Sequence, residues 1–105
     1  MRLLATFLLV FVSCPVLADA LLLPDDEIKA GQVLYMKKCM RCHGKTAEGG
    51  NGPDIQGILY KDVVAAAEGV ENMPKVTLDD LEARQIATFL MSLAPDQART
   101  RLGLQ

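Results

Sequence analysis

The chain of 105 residues is 50% apolar, 23% charged and 5% aromatic, with no tryptophan and a formal charge of −2. That length holds one small domain and excludes a multidomain enzyme. The mildly acidic balance lacks the basic stripe of a nucleic-acid binder.

The first twenty residues read as an export signal. Met1-Arg2 is a short positive region, and Leu3 to Val12 (LLATFLLVFV) is an apolar run of ten residues. A membrane span needs about 20. Ser13, Pro15 and Ala18-Asp19-Ala20 then supply a helix break and small residues for cleavage after Ala20 or Ala18. The mature chain is therefore expected in a bacterial periplasm, without a membrane span. Phe11-Val12-Ser13-Cys14 resembles a lipoprotein signal but departs from it at Phe11, where Leu is preferred. The reading adopted is that Cys14 leaves with the signal; a lipid anchor at Cys14 is the alternative. Removing residues 1–20 of the 105 leaves 85, and the charge stays at −2 because Arg2 and Asp19 leave together. A body of 85 residues builds a thin core and ordinarily needs disulfides, a metal or a large bound group.

Pro24-Asp25-Asp26-Glu27 places acids at a helix N-terminus, where they cap it and complement the dipole. Ile28, Gly31, Leu34, Tyr35 and Lys38 then recur at helical spacing.

Cys39-Met40-Arg41-Cys42-His43 follows. Two cysteines with two residues between them admit three readings. A structural disulfide would close a very short loop and constrain little of the unfolded chain. A thiol–disulfide redox pair needs a βαβ setting and a helix N-terminus, and no strand pattern precedes Cys39. The third reading includes the next residue: C-x-x-C-H is the attachment signature of c-type haem. Thiols three positions apart can each add to one vinyl group of the same porphyrin edge. The residue after the second thiol then lies beneath the ring, where the imidazole of His43 can bind iron. His43 is the chain's only histidine. Zinc is disfavoured because it needs about four convergent ligands.

With this motif the mature chain resembles the class I cytochromes c, in particular the small monohaem forms. The resemblance implies an all-α fold of three to four short helices wrapped around one covalently bound haem c, with N- and C-terminal helices crossing. It also implies attachment at Cys39 and Cys42. Gly31, a poor helix residue costing about 1 kcal/mol relative to Ala, matches the glycine at that crossing, with Phe89 as its aromatic partner. Gly44, Gly49, Gly50, Gly52, Pro53 and Gly57 mark a loop. Gly52-Pro53 matches a family element in which the proline carbonyl accepts a hydrogen bond from the ring N–H of the ligand histidine; otherwise Pro53 is an ordinary turn residue.

Lys61 to Glu68 reads as a short helix ended by Gly69. Met36, Met40, Met73 and Met91 are then candidates for the second axial position. Met40 lies inside the motif and Met36 one turn before it, so neither can reach the opposite face. Met91 is expected to point outward from the last helix, about 150° from the centre of its apolar residues. Met73 remains, with Pro74 stiffening the segment behind it, and Met-Pro here matches the family's axial motif. Thr77 is expected to cap the last helix, which runs to about Leu93 before Ala94-Pro95. The organisation expected is a signal over 1–20, a cytochrome c domain over 21–95 and a polar, loosely held tail over 96–105.

The resemblance implies a periplasmic single-electron carrier with His43 and Met73 as axial ligands, working between redox partner proteins rather than as an enzyme. Lys37, Lys38, Arg41 and Lys45 form a cationic group suited to an acidic docking surface. A small haem subunit of a periplasmic dehydrogenase or reductase, and a haem-based gas sensor, are the alternatives.

Overall fold

The computed structural model describes Val10 and residues 21–104. The expected signal segment and Cys14 therefore lie outside the described residues, apart from Val10.

Helix α1 spans Asp25–Lys38. Pro24 stands at its N-cap position and makes no side-chain cap, so the expected capping role is absent. Its carbonyl instead accepts the Ile28 N–H at 3.0 Å. Acids fill the first turn and Lys37 and Lys38 the last, as the helix dipole favours. Helix α2, Met40–His43, is a single turn, and α3 is Tyr60–Ala67. The Leu59 N–H is held by the Asp62 carboxylate at 3.1 Å, which starts α3 one residue earlier than expected.

Helix α4 spans Asp80–Leu93. Its cap is Asp79, not Thr77. Asp79 Oδ1 accepts the Glu82 N–H at 2.8 Å while Glu82 Oε1 accepts the Asp79 N–H at 3.1 Å. This reciprocal box ties up two helix-end donors, which a lone Thr77 hydroxyl cannot do. Helix α5, Pro95–Arg101, occupies what was read as a loose polar tail. Pro95 suits its first position, where no donor is needed. Ala98 is fully buried and Arg101 Nη1 donates to the Gln56 carbonyl at 3.0 Å. The described residues thus hold five helical segments rather than three to four, with α2 and α5 as the short additions.

Helices α1 and α4 cross tightly. A Cβ at Gly31 would lie 1.8 Å from the Gln85 carbonyl oxygen and 2.9 Å from the Phe89 Cβ. The Tyr35 and Phe89 rings meet beside this crossing with centroids 5.2 Å apart, tilted by 49°. Val63, Ala83, Ile86, Ala87 and Leu90 complete the core. Met91 does not point out to solvent; it is half-buried and packs against this core. The expected apolar arc on α4 left out the contacts made at its edge.

Candidate haem site

Helix α1 ends where Cys39 leaves helical geometry, at φ −123°. The chain then makes one further turn, with the His43 N–H on the Cys39 carbonyl at 3.2 Å, and stops at Gly44, whose φ of +82° a glycine adopts without strain. That single turn puts Cys39, Cys42 and His43 on the wall of one cavity of about 380 Å³. Tyr35 anchors the turn from below: its hydroxyl donates to the Gly44 carbonyl at 2.5 Å.

The glycine-rich loop folds back onto the turn. Gly49 N–H donates to the His43 carbonyl at 2.9 Å, and Gly52 N–H to the Cys42 carbonyl at 2.8 Å. His43 is buried, and its Nδ1 lies 2.8 Å from the Pro53 carbonyl oxygen. A carbonyl can only accept, so Nδ1 carries a proton, which leaves Nε2 as the nitrogen open to a metal. That tautomer is the one a metal ligand requires.

The remaining walls are apolar, with Ile55, Ile58, Val63, Ile86 and Leu90 among them. The segment between α3 and α4 supplies Met73. This segment turns at Gly69 (φ +97°) and is pinned by the Met73 N–H on Val70 O at 2.8 Å and the Val76 N–H on Ala67 O at 2.9 Å. Lys38 ties it to the end of α1, with Nζ donating to the Thr77 carbonyl at 3.0 Å. Of the four described methionines, Met73 lines the cavity and Met36, Met40 and Met91 do not.

Cys39 and Cys42 are free thiols, both half-buried. Burial pushes the Cys39 thiol up to about 11, only partly opposed by the Lys38 charge. A thiol–disulfide enzyme needs the reverse, a thiol pulled down towards the thiolate. Two thiols and a correctly protonated imidazole on the wall of one apolar cavity are a donor set that fits haem.

The family described as cytochrome c oxidase, cbb3-type, subunit III matches residues 26–90. The chain belongs to this cytochrome c family. Cytochrome c-551 of Bacillus subtilis (strain 168) is 40% identical over 65 residues, covering 57% of this chain and 58% of that protein. The crystal structure of cytochrome CL from the methylotroph Methylophaga aminisulfidivorans MPT superposes with a TM-score of 0.57 at 28% identity, covering 70% of this chain and 59% of that one. The chain thus spans under two thirds of either relative. Its fold is that of a cytochrome c and its cofactor is covalently bound haem c.

Two features of this site were not legible from residue types. One is the Lys38–Thr77 tie, which joins positions 39 apart. The other is the contact of Gly52 with the His43 ring, where a Cβ would lie 2.8 Å from Cε1. The five loop glycines look alike in sequence, and only the folded loop singles out this one.

Proposed function

We propose that the chain is an exported single-electron carrier, with haem attached at Cys39 and Cys42 and iron held by His43 and Met73. One observation carries the ligand assignment: Met73 alone of the described methionines shares a cavity with both thiols and the imidazole. The apolar run Leu3–Val12 supports export to the periplasm. Among the described residues no helix is long and apolar enough to cross a membrane.

Bound in this cavity, haem supplies a one-electron ferric–ferrous couple. The protein's part is to set its balance. His43 Nε2 would hold the iron while the Pro53 carbonyl accepts the Nδ1–H, which raises the basicity of the ring. The Met73 thioether is neutral and favours the ferrous state. Apolar side chains around the site keep the dielectric low and disfavour the extra positive charge of the ferric state. With His43 and Met73 both holding the iron, substrate would find no coordination site, and electron transfer without bond making is the function this favours. Exposed Lys37, Arg41 and Lys45 beside the motif suit an acidic redox partner.

The test is the ferric spectrum. Wild type is expected to show the weak red band of thioether-to-iron ligation, Met73→Ala to lose it and Met91→Leu to keep it. Survival of the band in Met73→Ala overturns the assignment. The family description, an oxidase subunit, favours one further reading, a small haem subunit of a larger complex. Stoichiometric co-purification with a larger redox protein would establish it.

A further inference from the structure

We propose that Gly52 is a positioning residue for the His43 imidazole, and that the site uses its missing side chain rather than its backbone freedom. The inference rests on His43 as iron ligand, as proposed above. Gly52 is not among the glycines at positive φ, so its backbone conformation is open to other residues. Space is what is denied. A Cβ at Gly52 would lie 2.8 Å from His43 Cε1, 2.9 Å from Nδ1 and 3.3 Å from Nε2. Closeness to three ring atoms means that the Gly52 backbone lies against the ring itself.

The loop is fastened in that place. Gly52 N–H donates to the Cys42 carbonyl at 2.8 Å, and its own carbonyl accepts the Gly50 N–H at 3.0 Å. The carbonyl of the next residue, Pro53, accepts the Nδ1–H hydrogen bond, with Nδ1 2.8 Å from the oxygen. The imidazole is therefore held at its edge by Pro53 and packed by Gly52. A single hydrogen bond leaves a ring free to rotate about that bond; contact from Gly52 restricts the rotation. The plane of the iron-binding imidazole and the length of its Pro53 bond are thus set by one stretch of backbone.

A methyl group at position 52 cannot stay 2.8 Å from a ring carbon, so either ring or loop must move. The loop is the softer partner. His43 is buried and its backbone is bonded on both sides, whereas Asn51 and Pro53 are exposed. Displacing the loop lengthens the Nδ1–H bond to Pro53 and makes the ring a weaker donor. Ferric iron is then less stabilised, and the midpoint potential rises.

The experiment uses the full chain matured with its haem, as wild type, Gly52→Ala and Gly57→Ala. Gly57 is a control for general strain: it has φ +73° and a Cβ there would lie 2.9 Å from the Ala94 carbonyl oxygen, away from the imidazole. Both variants are expected to lose stability, while Gly52→Ala alone moves the potential upward and changes the ferric electron paramagnetic resonance g values. An unchanged potential and spectrum in Gly52→Ala, or an equal change in Gly57→Ala, overturns the proposal. Should Gly52→Ala not accumulate, proton NMR of the reduced wild type decides, with an expected nuclear Overhauser contact between Gly52 Hα and the His43 ring. Ring signals shifted by the porphyrin but lacking that contact overturn the role of Gly52 alone. Unshifted His43 ring signals overturn the ligation on which it rests.

Discussion

Gly31 and Gln85 approach so closely that a β-carbon on Gly31 would fall 1.8 Å from the Gln85 carbonyl oxygen. On an exposed helix, Gly→Ala gains about 1 kcal/mol in propensity. Here the overlap is with backbone and reverses the sign. Gly31→Ala is expected to destabilise the haem-containing protein by about 2–4 kcal/mol in denaturant unfolding. An unchanged or higher midpoint would show that α1 and α4 do not cross at this contact.

Tyr35 makes stability depend on alkaline pH. Burial pushes its phenol up from the ordinary 10.0, with a hydrogen bond from the Ala47 backbone opposing the rise; the charge of an ionised Cys39 thiol would add to it only in the haem-free chain. Just above pH 10 the folded state holds a proton that the unfolded chain has released. Stability from this group is complete below pH 10 and is lost as pH rises through the raised value. Tyr35→Phe is expected to cost about 1 kcal/mol at neutral pH through loss of the bond to the Gly44 carbonyl. It should also fall less steeply than wild type across the alkaline window. Parallel stability curves for the two proteins would contradict this.

Lys38 fastens the Met73 segment to the end of α1 through the Thr77 carbonyl. Under the Met73 ligation proposed above, Lys38→Met is expected to let added imidazole displace Met73 about fivefold faster in the ferric protein, as loss of a bond worth about 1 kcal/mol implies. Lys37→Met removes the same charge from the neighbouring residue and is expected to leave the rate unchanged. Equal acceleration in both variants would assign the effect to charge rather than to the tie.

The cationic residues beside the motif compete with a net charge of −2 over the whole chain. If they govern approach to the haem, oxidation of the reduced protein by ferricyanide should slow as ionic strength rises. A rate that climbs with salt would mean that the net charge dominates.

The site was legible where chemistry needs adjacent residues. Cys39, Cys42 and His43 lie within one helical turn, so their spacing singled them out, whereas the role of the contiguous Gly52-Pro53 pair came from the family resemblance. Gly31 was legible because a glycine inside a helix needs a reason. Helix α5 was not, since its one buried residue, Ala98, leaves no apolar stripe to read. Thr77 and Asp79 are both good caps by type, and the choice fell to the Glu82 side chain three residues beyond Asp79. Met91 was misjudged because an apolar arc ignores the neighbours packed at its rim. The Lys38–Thr77 tie depends on the finished fold and has no local signature.

The most direct measurement is the intact mass of purified wild type, taken with its pyridine haemochrome spectrum after maturation in a cell that attaches c-type haem. Polypeptide plus one haem, with the spectrum of a porphyrin whose two vinyl groups are both saturated, is the expected result, and Cys39→Ala or Cys42→Ala should change it. A colourless protein with the mass of polypeptide alone would contradict attachment at this pair.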